Sequence, residues 1–444
     1  PVLIDDAPAD KLASVLEKYS GKFTQTFFGD QSRDWSKILD NVDTIIISPG
    51  IKLPEDVDHL AYKKNVEIIC EIEFAFRRCK GKIIAVTGSN GKSTTVTMVY
   101  QILQLAGFPS YLAGNIGTPF ISIVDDIQTG DWVVLELSSY QLERIDTFKP
   151  DIAIITNITE DHLARHGDMF GYIAAKGRIF ENQDLNDHAI INHENFSTWR
   201  ALGKCASNLH AFTTEETEAL PSREVINGKF IQFFAAQNEK VLVLKKGEEM
   251  NSILPAIDLQ VVGQHNIENA LCSSLATYLA GVPLKAIGDA LREFKGIEHR
   301  IEFLGLVNDV RIYNDSKATN VESTITALKT FTEGNLRLIL GGSEKGSDFT
   351  PLWQFLQERD DGFILYLSGP SGLRMSEDLK NGNWNFNYHK FDSFDKCVMS
   401  AFNGATGGDI VLLSPACASF DEFSSFEERG QRFKKLFHKM VEEK

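Results

Sequence analysis

Residues 82–107 read KIIAVTGSNGKSTTVTMVYQILQLAG and lay out a strand, a glycine loop and a helix in that order. Ile83 to Val86 form a short apolar run rich in β-branched side chains. Val96, Val99, Ile102, Leu103 and Leu105 then recur at helical spacing. Between the two lies Thr87-Gly88-Ser89-Asn90-Gly91-Lys92-Ser93-Thr94. Such a loop suits a phosphate chain for an electrostatic reason. Glycines let the backbone curl until several N–H groups point at one phosphate, and the following helix adds the positive end of its dipole. Lys92 is placed to neutralise the outer phosphates, and Ser93 or Thr94 to hold Mg²⁺. The common P-loop pattern carries a further glycine at the position occupied here by Val86, so this loop is the shorter G-x-x-G-K-S-T form. A glycine turn alone joins strand to helix in many α/β proteins. Lys, Ser and Thr in register with it point to nucleotide binding.

The whole chain has 444 residues, enough for two or three domains with sizeable cores. With 43% apolar and 24% charged residues it reads as a soluble globular protein. A formal net charge of −16 argues against broad binding to nucleic acid or anionic membranes, while leaving local recognition of a phosphorylated ligand open. The six cysteines (70, 79, 205, 272, 397 and 417) show no metal-type spacing and read as reduced thiols of a cytoplasmic protein. No apolar run reaches membrane-spanning length, and no signal peptide is evident.

Strands and helices alternate through residues 1–80, which implies a parallel sheet. Its strands are expected at Val2 to Ile4, Phe23 to Phe28, Val42 to Ser48 and Val66 to Cys70. Beyond the P-loop helix, Asp131 to Ser139 reads as a buried strand carrying Glu136 near its end, a position that suits Mg²⁺ and equally suits a turn cap. Asp151 to Asn157 is another buried strand. Neither His162 nor Lys176 is distinguished by spacing, since a lone loop His is usually structural and a lone helical Lys usually solvated. Residues 205–250 read as short strands and turns, with Asn227-Gly228 as a hairpin signal. Asn266 and Asn269 share one helix face, where two amides can read a base or simply cap the helix. From Gly296 onward, strands are expected at Val310 to Tyr313, Leu336 to Leu340, Phe363 to Leu367 and Asp409 to Leu413. All four end in small or polar residues, as the carboxyl edge of an open α/β sheet does where it binds a ligand.

Taken together, TGSNGKST (87–94), GNIG (114–117), LELSSYQLE (135–143), NITEDH (157–162), AAKGRIFEN (174–182), GQHNIENA (263–270), HR (299–300), NDSKATN (314–320), GGSEK (341–345) and SPACASFDEF (414–423) resemble the Mur ligases. NDSKATN and SPACAS resemble the members that add D-glutamate rather than diaminopimelate or alanine. The resemblance implies three α/β domains. The first is a Rossmann-like domain over 1–80 that binds a UDP substrate. The second is a P-loop ATP domain over 81–296, and the third a Rossmann-like domain over 297–444 that binds D-glutamate and part of ATP. It implies a cytoplasmic and monomeric ligase using ATP and two Mg²⁺ ions to join UDP-N-acetylmuramoyl-L-alanine to D-glutamate through an acyl phosphate.

Residue roles carry over by that resemblance. Lys92, His162, Lys176 and Lys317 are expected at the reacting groups. Gly88, Ser89, Asn90, Gly91, Lys92, Ser93 and Thr94 are expected around the phosphates of ATP, and Asn269, Arg300 and Asp315 around the rest of the nucleotide. Ser93 or Thr94 with Glu136 would serve one Mg²⁺, and His162 with a carbamylated Lys176 the other. Asp5, Asn115 and His162 are expected near the UDP substrate. Lys317, Thr319, Lys345, Ser419 and Phe426 are expected around D-glutamate. The family's first domain opens with a strand and a glycine loop that have no counterpart here, so an N-terminally incomplete first domain is expected. Three other readings are weaker. A folate polyglutamate ligase disagrees with NDSKATN and SPACAS. A non-catalytic nucleotide binder disagrees with the intact Lys92, Glu136, His162, Lys176 and Lys317. A dehydrogenase disagrees with the missing Rossmann fingerprint.

Overall fold

A computed structural model describes every residue except 30–32, 52, 162, 204, 222–223, 332–333, 345, 360–361, 383 and 443–444. The chain divides into two compact units. One comprises Pro1–Ser89, Tyr111–Ala189 and Phe196–Asn208, and the other Asn90–Ser110, Ile190–Asn195 and Leu209–Lys444.

In the first unit, β1 (Val2–Asp5) pairs in parallel with β2 (Gln25–Phe28), and β3 (Thr44–Ile47) with β4 (Glu67–Cys70). The alternation of strand and helix expected from the sequence is present, but as two separate parallel pairs rather than one continuous sheet. The P-loop strand β5 (Lys82–Thr87) lies in a sheet with β6 (Ser110–Gly114), β7 (Trp132–Glu136) and β8 (Ile152–Ile155), in the order β6-β7-β5-β8. β5 is parallel to both of its neighbours. Its residues Ile83 to Val86 are buried, as an apolar run on a strand covered on both faces must be. The following strand β9 (His188–Asn192) begins beside β8, His188 N–H donating to Asp151 O at 2.9 Å.

One carboxylate anchors a helix in this unit. Glu73, fully buried on the helix Glu71–Phe76, accepts the backbone N–H groups of Asp146, Thr147 and Phe148, the Thr147 hydroxyl and Arg77 Nε, all at 2.6–3.1 Å.

In the second unit, β10 (Asn208–Glu216) runs parallel to β12 (Lys229–Asn238), and β13 (Val241–Lys246) and β14 (Glu249–Pro255) add antiparallel neighbours beyond it. Between β11 (Val225–Ile226) and β12, Asn227 and Gly228 both take positive φ, the geometry of a two-residue hairpin turn. The strands are longer than the turn-rich composition suggested. β12, β13 and β14 follow one another through two-residue connections, and pairing along the whole length of each lengthens them beyond what their own sequence favours.

The C-terminal sheet has the order β15-β16-β20-β17-β18-β19, with β15 (Glu302–Val307) antiparallel on one edge. The strands β16 (Val310–Asn314), β17 (Leu336–Gly341), β18 (Phe363–Ser368), β19 (Tyr388–Lys390) and β20 (Ile410–Leu413) are parallel. Side-chain alternation sorts its two cores. Leu336, Leu338 and Leu340 face Leu352, Trp353, Met375 and Leu379. Ile339, Val411 and Leu413 face Val398, Phe402, Phe433 and Phe437. Register places Asn314 beside Leu413 and Gly341 beside Ser368, so the segments after these strands leave one common edge.

Candidate active site

The P-loop conformation depends on Gly88. Its φ is +151°, and a Cβ there would stand 2.0 Å from Thr156 Oγ1. Gly91, with φ +84°, opens the helix Lys92–Leu105, and among the described residues no side chain caps that end. The helix therefore presents its first N–H groups at the loop, the arrangement an anion requires.

In the first unit the beginning of the loop is braced from several sides. Lys176, 2% exposed on the helix Met169–Gly177, donates from Nζ to Gly88 O at 2.8 Å. Its ammonium lies 4.6 Å from the centre of the Tyr172 ring, and the Tyr172 hydroxyl is 3.2 Å from Ser89 Oγ. Ser89 Oγ also donates to Thr159 O at 3.0 Å. A helical Lys so deeply buried departs from the solvated default, and Tyr172, one turn before it, is the partner that spacing could have suggested.

Glu136 ends β7 opposite Val86, two residues before Gly88. Its Oε1 accepts Asn115 Nδ2 at 2.8 Å, while its buried Oε2 has no hydrogen-bond partner among the described residues. An open, buried carboxylate oxygen beside a phosphate loop fits a hard cation such as Mg²⁺. Among the described residues there is no cluster of three His, Cys, Asp or Glu side chains that could cage a metal. Elsewhere in this unit, Asp5 accepts Ala7 N–H at 2.7 Å at the end of β1, and its backbone oxygen accepts Arg33 Nη2 at 3.1 Å.

In the second unit, Asn90 is exposed, Lys92 half-buried, and Ser93 and Thr94 buried in the helix's first turn. Asn269 is buried against that turn, its Oδ1 accepting Thr95 Oγ1 at 3.1 Å and its Nδ2 donating to Asn266 Oδ1 at 3.2 Å. A Cβ at Gly91 would meet the same Oδ1 at 2.6 Å. Asn269 thus positions the phosphate helix, a role beside the base-reading and capping alternatives.

At the C-terminal sheet edge, buried Asp315 accepts Ser414 Oγ at 2.7 Å and Ile301 N–H at 3.2 Å. Burial pushes its carboxyl up to about 7, against those hydrogen bonds and the nearby charges of Arg300 and Arg429. Lys317 Nζ lies 5.9 Å from the centre of the Phe426 ring, and the Phe426 oxygen accepts Ser316 Oγ at 2.8 Å. Thr319 is half-buried, its N–H on Lys317 O at 2.9 Å, and Ser419 is buried. His162 and Lys345 lie outside the described residues.

Sequence reasoning missed Arg429. It is 2% exposed on the helix Phe426–Glu442, and donates to Ser316 Oγ (3.0 Å), Ser316 O (2.8 Å) and Cys417 O (3.0 Å). It therefore binds the segment after β16 to the segment after β20. Nothing in its local sequence marks it, because both partners lie far away along the chain.

The Mur ligase middle domain matches residues 86–277, and the Mur ligase glutamate ligase domain matches residues 299–417. A UDP-N-acetylmuramoylalanine--D-glutamate ligase of Koribacter versatilis is 40% identical over 401 residues, covering 90% of this chain and 84% of the relative. A protein of the same name from Thermoanaerobacter pseudethanolicus is 35% identical over 439 residues, covering 98% of this chain and 92% of its own. Among solved structures, a UDP-N-acetylmuramate-alanine ligase of Thermotoga maritima is similar with a TM-score of 0.56 at 18% identity, covering 99% of both chains. E. coli FolC, solved with ADP, gives a TM-score of 0.58 at 16% identity, covering 91% of this chain and 97% of its own. The two structures share the fold. With both domain models in the order that the motifs predict, and close relatives across nine-tenths of its length, the chain belongs to the Mur ligase family.

Proposed function

We propose that this protein is an ATP-dependent amide ligase that joins D-glutamate to UDP-N-acetylmuramoyl-L-alanine in peptidoglycan precursor synthesis. The observation that carries the reading is 40% identity to a ligase of that name over 90% of the chain. The braced loop and the open Glu136 oxygen supply compatible local chemistry.

In the reaction, the terminal carboxylate of the UDP substrate takes the γ-phosphoryl group of ATP, giving an acyl phosphate and ADP. The D-glutamate amine attacks the acyl carbon and loses a proton, and the tetrahedral intermediate expels phosphate to leave the amide. The chain's task is to hold charge and position. Lys92 and the amides from Gly88 to Thr94 bind the outer phosphates. Asn269, Arg300 and Asp315 bind the remainder of the nucleotide. Asn115, with Asp5 and His162, orients the UDP substrate. Lys317, Thr319, Lys345, Ser419 and Phe426 hold D-glutamate, where cations and hydroxyls match two carboxylates.

Glu136 with Ser93 or Thr94, and His162 with carbamylated Lys176, would hold two Mg²⁺ ions, which when bound neutralise charge on the transferring phosphoryl group. Carbamylation suits Lys176, since it turns a buried cation into an oxygen donor. We place UDP-substrate, ATP and D-glutamate chemistry in three consecutive parts of the chain, 1–80, 81–296 and 297–444, with part of ATP also held by the last. We also place the reaction in the cytoplasm, carried out by a monomer. Among the described residues, no helix is long and apolar enough to cross a membrane.

The test is phosphate release from ATP and Mg²⁺ with UDP-N-acetylmuramoyl-L-alanine, with and without D-glutamate. Release that needs both substrates and is not supported by L-glutamate is expected. Release driven instead by a folate substrate and L-glutamate would overturn the reading.

A further inference from the structure

The segment that follows β17 is fastened by one side chain of the helix Gly369–Asn381. Arg374 Nε donates to Glu344 Oε2 at 2.8 Å, and Nη2 to Ser347 O at 2.5 Å. The same guanidinium lies 4.4 Å from the centre of the buried Phe349 ring. One turn earlier, Ser371 Oγ donates to Ser343 O at 2.7 Å and Ser371 N–H to Gly342 O at 3.0 Å. Ser343 N–H donates in turn to Ala418 O at 2.8 Å, immediately before Ser419. The segment is therefore tied both to the helix and to the loop that carries Ser419.

Its charge matters as much as its placement. Glu344 is a partly exposed carboxylate on this wall of the sheet edge. A ligand with two carboxylates arriving at that edge would be repelled by it, and like charge at an interface discriminates strongly. Arg374 supplies the opposing charge and, by reaching Ser347 and Phe349 as well, fixes where that charge stands.

We propose that Arg374 is a positioning residue for the amino-acid pocket, holding Glu344, Ser347 and Phe349 in place and cancelling the charge of Glu344 toward an incoming dicarboxylate. The proposal rests on the reading of the chain as a D-glutamate ligase. The experiment is steady-state kinetics of the full chain carrying R374A, E344Q or both, with R374Q, which keeps the stem over Phe349, in place of R374A if that variant does not fold. R374A should raise the KM for D-glutamate about tenfold, with the KM values for ATP and the UDP substrate and the kcat within about twofold of wild type. Adding E344Q to R374A should recover several-fold of that loss, because the repelling charge is gone. A merely structural strap would not be rescued in this way, since the double variant lacks the ion pair altogether. An unchanged KM for D-glutamate, a rise shared equally by all three substrates, or no rescue would overturn the proposal. Wild-type turnover with D-glutamate separates the two readings. Its absence overturns the ligase reading, while its presence with flat R374A kinetics overturns only the role of Arg374.

Discussion

Glu136 keeps one buried carboxylate oxygen without a partner among the described residues, a condition that costs about 1–3 kcal/mol in a folded protein. Glu136→Gln removes the buried charge while its remaining oxygen can still accept from Asn115. The melting temperature should hold or rise, and phosphate release should fall roughly a hundredfold. Thermal melts and turnover on one preparation check both signs, and full activity in the variant would remove Glu136 from the metal role. Asp315 gives a pH prediction. Burial raises its carboxyl from 3.8 to about 7, and burial together with Glu194 raises Glu268 to about 7. The native state therefore holds more protons than the unfolded chain between the two values. The stabilisation is complete below the unfolded values and is lost as pH rises through about 7. Melting temperature of the ligand-free protein should fall from pH 5 to pH 8, and Asp315→Asn should flatten that fall. At this scale the sequence was readable where a motif existed. Gly88, Gly91 and Glu136 sit where the loop and strand pattern put them. Arg429 was not readable, because its contacts join residues that no local pattern connects.

Elements were legible in proportion to how local their causes are. The β5–loop–helix unit follows from an apolar run, two glycines and helical periodicity, and the Asn227-Gly228 turn from a residue pair that accepts the positive φ found at both positions. β15 was missed because an edge strand of mixed character, Glu302 to Val307, takes its conformation from β16 rather than from its own sequence. The helix Glu71–Phe76 shows the same dependence on distant groups. It is short, and Glu73 ties it to residues 146–148. Glu73→Ala would leave three backbone N–H groups without their acceptor, at a cost of roughly 3 kcal/mol or more. Urea unfolding should show the midpoint fall with the slope unchanged, and a loss under about 0.5 kcal/mol would mean that water replaces the carboxylate.

For the whole molecule, alternating strands and helices indicated α/β domains and composition an anionic protein, and the sheet edge after β16, β17, β18 and β20 stands where the strand-end residues suggested. The separate parallel pairs of the N-terminal region were not legible, since pairing depends on which strands meet. Net charge has a kinetic consequence. A chain of formal charge −16 must capture substrates that are all anions, so its long-range field opposes encounter while local cations and amides favour the bound state. Raising ionic strength from about 20 to 200 mM should therefore raise kcat/KM for the UDP substrate by about twofold, through screening. A fall over that range would mean that local positive potential governs encounter.

Cys417 has a use of its own. Its thiol is free and buried, burial pushes it up to about 11, and its backbone oxygen is one of the three acceptors of Arg429. Such a thiol is inert until its surroundings open, so its alkylation acts as a stopwatch for the loop after β20. In a variant with the half-buried Cys79 replaced by Ser, labelling at Cys417 followed by peptide mass mapping should be slow, faster in Arg429→Ala, and slower again with D-glutamate and a nucleotide bound. The protein thus carries a native chemical clock for its own pocket, readable without any added probe site.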